Sequence, residues 1–223
     1  GSAGTVAVVA RWVDKLRARG PVALVVDPVL GASTGAAFAD DAVLRAYREL
    51  LLPRATLLTP NEREASRLVG EGGGEDAPQP LTPALSPNGR GSEQPGSFQS
   101  DAAVLPPLPA GARSGVRGTA HPAPVAVVPA LAQALRAQGT QAVAITGGDS
   151  APAPGWSLDW IDTPHASGWL ALPRIATRHT HGTGCTFATS AACALALGFA
   201  AADALVLAKM ATTLDQISGG RLE

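Results

Sequence analysis

Apolar and polar positions alternate along the chain in two periods, and the period switches at regular points. Thr5–Ala18 carries Val6, Val9, Val13 and Leu16 at helical spacing, with Arg11, Asp14, Lys15 and Arg17 between them, which predicts an amphipathic helix. Gly20-Pro21 ends it. Val22–Val26 is a short continuous apolar run, the mark of a strand buried on both faces, and Asp27-Pro28 follows directly. Asp40–Leu52 returns to helical spacing, with Val43, Leu44, Tyr47, Leu50 and Leu51 inward and Pro53 after it. Ala55–Thr59 reads as a second buried strand, and Asn61–Val69 as a third helix closed by Gly70. Strands alternating with helices predict βαβ units. The fold expected is α/β: three layers, α/β/α, around a mostly parallel central sheet. Val22–Val26, Ala55–Leu58 and Ala142–Ile145 are its expected neighbouring strands.

The pattern stops at Glu71. Glu71–Pro124 holds ten of the 19 prolines and nine glycines, with few apolar clusters. Such a segment cannot bury enough apolar surface to offset its ordering entropy. It is expected as a disordered insertion, at about residues 71–124, in a surface loop of one domain spanning residues 1–223. A Pro-rich ligand for a partner domain is the alternative. Beyond Val125 the pattern predicts a helix over Pro129–Gln138 and a buried strand over Ala142–Thr146 ending in Gly147-Gly148. A small antiparallel pair, Ser157–Ile161 and Gly168–Leu172, turns at Pro164-His165, and two long helices follow at Gly182–Leu197 and Ala201–Ile217.

Composition narrows the function. The net charge of −1 gives no basic face of the kind a nucleic-acid binder shows. Aromatic residues make up 4% of the chain, too few for a base- or sugar-stacking surface. Gly182–Ala202 is uncharged and as long as a bilayer span. It is built of Ala, Thr, Ser and Gly, however, and Asp203 follows at once, so buried helices are expected and no membrane partner. Cys185 and Cys193 lie eight apart in one predicted helix, about 12 Å from Cα to Cα, too far for a disulfide. Two free thiols fit a reducing cytoplasm, and no basic stretch leading into an apolar run opens the chain.

His181-Gly-Thr-Gly-Cys-Thr-Phe187 follows an extended stretch and opens an apolar helix. Two glycines let backbone approach a ligand closely, and the N–H groups and dipole of a helix N-terminus favour an anion there, phosphate above all. Cys185 falls in the first turn, where helix N-termini activate thiols; Cys193, two helical turns further on, is expected as an inert packing residue. A glycine-rich start used only for packing is the competing reading. Thr59-Pro-Asn-Glu-Arg-Glu-Ala65 sits at the carboxyl end of a predicted strand, where open α/β sheets bind ligands. Asn61 and Glu64 also have the spacing of a capping box. Asp27 ends another buried strand. Carboxylates at two strand ends could together orient a hydrated Mg2+.

Taken together, Val25-Val-Asp-Pro-Val29, Leu52-Pro-Arg-Ala-Thr56, Thr59-Pro-Asn-x-x-Glu-Ala65, Gly147-Gly148 and His181-Gly-Thr-Gly-Cys-Thr186 occur in the order seen in bacterial hydroxymethylpyrimidine/phosphomethylpyrimidine kinases of thiamine biosynthesis. The chain resembles that family over nearly all its length outside Glu71–Pro124, and Ala208-Lys209 on the last helix fits the pattern too. The resemblance implies a ribokinase-like fold, ATP and Mg2+ as cofactors, a small pyrimidine substrate, a cytoplasmic location and a homodimer, as is common among small-molecule kinases of that fold. It implies that Cys185 is the catalytic base, at the position that is Asp in sugar-kinase relatives. It places Gly182, Thr183, Gly184 and Thr59 around the phosphates, Asp27, Asn61 and Glu64 near the metal and triphosphate, and Gly147, Gly148 and Lys209 near the nucleotide.

Three departures bear on activity. The family's first strand and Gly-rich substrate loop have no counterpart in this sequence, so weak or no phosphorylation is expected of it. Thr146 stands where the family often has Lys before the glycine pair. The Glu71–Pro124 insertion is unusual. A pyridoxal kinase and a kinase-like fragment that only binds nucleotide therefore remain as alternatives.

Overall fold

Ser2 opens the first helix as its N-cap, its hydroxyl accepting the Thr5 N–H at 3.2 Å. That helix, α1 (Ala3–Arg17), ends with Lys15 and Arg17 in its last turn, where cations complement the helix dipole. The computed structural model describes residues 2–31, 38–70, 127–147, 155–177 and 182–219. The predicted insertion, Gly148 and His181 lie outside them. The inward stripe of α1 is Val6, Ala10 and Val13. Val9 and Leu16, expected on the same face, are 40% and 42% exposed, because the helix meets the core along a narrower strip than the apolar pattern covers.

Five strands form one sheet in the order β1 (Val25–Val26), β2 (Leu57–Leu58), β3 (Val143–Thr146), β4 (Trp156–Asp162) and β5 (Ser167–Pro173). Val25 pairs with Leu57, and Leu58 with Val143, both in parallel. The β3–β4 and β4–β5 pairs are antiparallel, so four strands share one direction and β4 alone is reversed. The three apolar runs are neighbours, as expected. The predicted antiparallel pair is present too, but it is no separate unit: β4 zips onto β3 over Val143–Thr146 and extends the main sheet.

The side chains alternate across the sheet with period two. Val26, Leu58, Val143 and Ile145 face a core shared with α1, α2 (Asp41–Ala46), α3 (Glu62–Val69) and α4 (Val127–Ala137). Leu57, Ala142, Ala144 and Ile161 face the opposite core, closed by Phe187 and Ala191 of α5 (Thr183–Ala196) and Leu205 and Ala208 of α6 (Ala201–Ser218). Two cores on the two faces of one sheet make the three layers.

The helix predicted over Asp40–Leu52 is α-helical only to Ala46. A π turn (Tyr47–Leu51) and a 3-10 turn (Leu52–Arg54) complete it, with the Leu52 N–H reaching back to the Tyr47 carbonyl. Pro53 has no N–H to continue the ladder, and the widened turn leaves both Leu51 and Leu52 buried. The chain then drops into β2.

Candidate active site

The carboxyl ends of β1, β2 and β3 lie side by side, each carrying predicted site residues. After β1, Asp27 is half-buried and hydrogen-bonded to the Thr59 side chain. Thr59, buried after β2, donates its N–H to the Val26 carbonyl at 3.0 Å. Asn61 caps α3 through its side chain, which accepts the Glu64 N–H at 2.9 Å. The Glu64 carboxylate answers by accepting the Asn61 N–H at 2.9 Å, so the capping box is complete. Its other oxygen accepts the Leu30 N–H at 3.2 Å, across from the β1 side. The capping reading of this motif holds, and the box that starts α3 also aims Glu64 at the end of β1.

Burial pushes both carboxyls above their ordinary values. For Glu64 burial is the largest effect, opposed by the Asn61 and Leu30 amides, raised further by the Asp27 charge and opposed by Arg67. For Asp27 burial again dominates, with the Thr59 hydrogen bond opposing it. Arg67 donates to the Leu30 carbonyl at 3.1 Å and the Ala39 carbonyl at 2.8 Å, so its guanidinium is engaged with backbone. Tyr47, which sequence reasoning assigned only to the core, senses both carboxylates: its phenol is pushed up by burial first and then by Asp27 and Glu64. It also lines a cleft of about 140 Å3 with Val29, Leu30 and Phe38. The only sequence signal for it was a hydroxyl among the leucines of an inward stripe.

The donor set suits Mg2+. Both carboxylates are half-buried, the Asp27 charge raises the proton affinity of Glu64, and both offer hard oxygen, which this ion takes while keeping several waters. Among the described residues no cluster of three or more His, Cys, Asp or Glu is gathered to cage a metal, so water and substrate oxygens would complete the shell.

Asp27→Asn tests this electrostatics. A carboxyl whose folded-state value is raised binds its proton more tightly when folded, so its stabilising contribution is present at acid pH, below about 3.9 for Asp. It is lost as pH rises through the raised value. At neutral pH the desolvated charge is a liability, and Asp27→Asn is expected to raise the Tm of the metal-free protein by a few degrees. The gain should shrink toward zero near the acid limit. Differential scanning fluorimetry across pH checks it; a lower Tm at pH 7 would refute the reading.

At the end of β3, Thr146 donates to the Pro60 carbonyl at 2.9 Å and bridges Asn61 in parallel. Gly147 donates its N–H to Asp159 Oδ1 at 3.0 Å. The other Asp159 oxygen takes the Lys209 ammonium at 2.6 Å, and that ammonium also reaches Ser157 Oγ at 2.7 Å. Asp159 and Lys209 are 4% and 8% exposed. Lys209 thus meets Gly147 through one carboxylate. Asp159 and Ser157 were not singled out from sequence, although Asp159 shares the face of Ile161 in β4 and so had the parity of an inward residue.

Gly182 caps α5 in the left-handed region, at φ +81°, where glycine alone is comfortable. The first bond within the helix runs from the Thr186 N–H to the Gly182 carbonyl, and the amides of Gly184 and Cys185 precede it. Cys185 is exposed in that first turn. Cys193, expected as a packing residue, is exposed as well, because α5 turns Phe187, Ala188, Ala191 and Ala194 inward instead. Both cysteines are free. No helix among the described residues is long and apolar enough to cross a membrane.

The sheet, its two helix layers and the strand-end site define a ribokinase-like α/β fold. Pyridoxal kinase from Staphylococcus aureus, solved in complex with ADP, superposes with a TM-score of 0.64 at 22% identity over 97% of this chain and 60% of its own. The sequence model of the phosphomethylpyrimidine kinase family matches residues 1–80 and 121–215, and the chain belongs to that family. The hydroxymethylpyrimidine/phosphomethylpyrimidine kinase of Synechococcus elongatus is 32% identical over 174 residues, 78% of this chain and 47% of its own. The chloroplastic thiamine biosynthetic bifunctional enzyme TH1 of Arabidopsis thaliana is 31% identical over 187 residues, 84% of this chain and 26% of its own. The chain thus spans about half the length of that bacterial kinase and about a quarter of the chloroplastic enzyme.

Proposed function

We propose that this protein phosphorylates hydroxymethylpyrimidine and its monophosphate with ATP. The observation that carries the reading is the meeting of Asp27, the Thr59–Asn61–Glu64 motif and Gly147 at the carboxyl ends of three adjacent parallel strands, the edge where open α/β sheets bind ligands. In this reading the substrate oxygen attacks the γ-phosphorus of ATP. The bond from that phosphorus to the β-phosphate bridging oxygen breaks, and ADP leaves. Cys185 accepts the hydroxyl proton in the first phosphorylation, within reach of the Gly182–Cys185 turn whose amides face the transferred group. Bound Mg2+ would neutralise phosphate charge. Asp27 and Glu64 would hold it through oxygen and water, Thr59 would orient Asp27, and Asn61 would keep Glu64 aimed. Most of the catalysis is then positioning and charge stabilisation.

Incubation of the protein with ATP and Mg2+, with hydroxymethylpyrimidine, its monophosphate or pyridoxal in parallel, and coupled ADP detection, tests the reading. ADP release with the two pyrimidines supports it. Release with pyridoxal alone would make the protein a pyridoxal kinase, and nucleotide-induced thermal stabilisation without release would make it a nucleotide-binding protein. The reading includes a reducing cytoplasm, which two free, exposed thiols suit, and a homodimer, which sedimentation equilibrium would check.

It also includes one domain interrupted by an insertion. The family match omits residues 81–120, and long surface insertions add little closure entropy. Deleting residues 81–120 is expected to leave the far-UV circular dichroism per residue of the remaining chain and its cooperative melt intact; loss of the cooperative transition would count against an insertion.

A further inference from the structure

The Asp159–Lys209 pair is buried, and nothing in the family reading gives Asp159 a task. A buried ion pair is a poor device for stability alone, because apolar replacements of similar volume are often as stable. Its position suggests another use. Asp159 lies opposite Thr146 in the β3–β4 ladder, and its carboxylate, rather than a backbone carbonyl, accepts the Gly147 N–H. Gly147 also lies close against the β4 backbone: a Cβ there would lie 2.1 Å from the Leu158 carbonyl oxygen. Lys209, donating to Asp159 and to Ser157, fixes the carboxylate from α6, so the place of Gly147 at the end of β3 is set by β4 and α6 together.

We propose that Asp159 is a positioning residue for the nucleotide: it pins the Gly147 amide, so that the carboxyl end of β3 is already in place for ATP phosphates before the nucleotide arrives. Lys209 serves it by neutralising the carboxylate in its buried setting. This rests on the kinase reading above and adds the group that pre-forms one wall of that site.

Two double variants separate the hydrogen bond from the charge pair. Asp159→Asn/Lys209→Met removes both charges but keeps an acceptor for Gly147. Asp159→Val/Lys209→Met removes the acceptor as well. The expected result, by titration calorimetry with ATP and Mg2+, is that the valine pair binds at least about tenfold more weakly than the asparagine pair, at similar Tm. Equal affinities in the two pairs would overturn the proposal, because the charge pair alone would then account for any loss. Failure of the wild-type protein to bind ATP would overturn the kinase reading itself, and the proposal with it. Hydrogen exchange on the nucleotide-free wild-type protein decides the matter even where the valine pair does not fold. Protection of the Gly147 amide comparable to that of the β3 ladder supports pre-positioning, and exchange at the rate of an open loop overturns it.

Discussion

Gly147→Ala is expected to lower the Tm by roughly 6–12 °C, from a cost of about 3 kcal/mol for forcing volume into a packed site and about 2–4 °C per kcal/mol in a domain of this size. The new Cβ would meet the Leu158 carbonyl oxygen at 2.1 Å and its carbon at 3.2 Å. Both belong to backbone, which cannot swing aside as a flexible side chain can. Relief requires β3 and β4 to part at their Thr146–Asp159 end, which loosens the Gly147–Asp159 bond and exposes the buried Asp159–Lys209 pair. Gly184→Ala is the matched control. A Cβ at Gly184 meets nothing within 4 Å, and alanine exceeds glycine in helix propensity by about 1 kcal/mol. It should raise the Tm slightly, while crowding the turn proposed to face phosphate. Thermal melts of the two variants check the opposite signs, and a Gly147→Ala protein melting with the wild type would refute the close-approach argument.

The glycines at the start of α5 show what a sequence can disclose. Gly182 and Gly184 stand in a recognisable spacing before an apolar helix, and the left-handed cap at Gly182 follows from it. The Asn61–Glu64 box was legible for the same reason: all its atoms come from four consecutive residues. The three parallel strands were legible because burial on both faces leaves continuous apolar runs. What escaped was set by partners distant in the chain. Lys209 meets Asp159 across fifty residues, and no local pattern announces the pairing, although a lone lysine among Leu205, Ala208 and Met210 asks for a buried counter-charge. The π turn at Tyr47 was hidden because inward positions at helical spacing look alike until Pro53 forces the ladder to close differently. Cys193 was misplaced because an Ala-rich helix has no strong apolar side, so its inward face is chosen by the sheet it meets rather than by its own periodicity.

Cys185→Ala is expected to reduce kcat by about 10²- to 10⁴-fold, the usual range for a lost acid–base group, with little effect on folding or nucleotide affinity. The thiol is exposed in the first turn of α5 and belongs to neither core, so removing it leaves no cavity. What anchors α5 is Phe187 and Ala191 against Leu57 and Ala144, and these are untouched. The turn that precedes the first helical hydrogen bond, from Thr186 to Gly182, keeps its amides in place, so binding of the phosphates should survive. The loss should therefore fall on kcat and not on the KM for ATP, as expected when an interaction made only in the transition state is removed. Cys185→Asp should recover part of the rate, because a carboxylate at this position can still accept the hydroxyl proton. Cys193 supplies the internal comparison: it is equally free and exposed, but it lies two helical turns from the N-terminal amides. Cys193→Ala should leave kcat nearly unchanged. Steady-state ADP release with hydroxymethylpyrimidine distinguishes these outcomes. Full activity in Cys185→Ala would remove the base assignment and leave the turn as an anion site only.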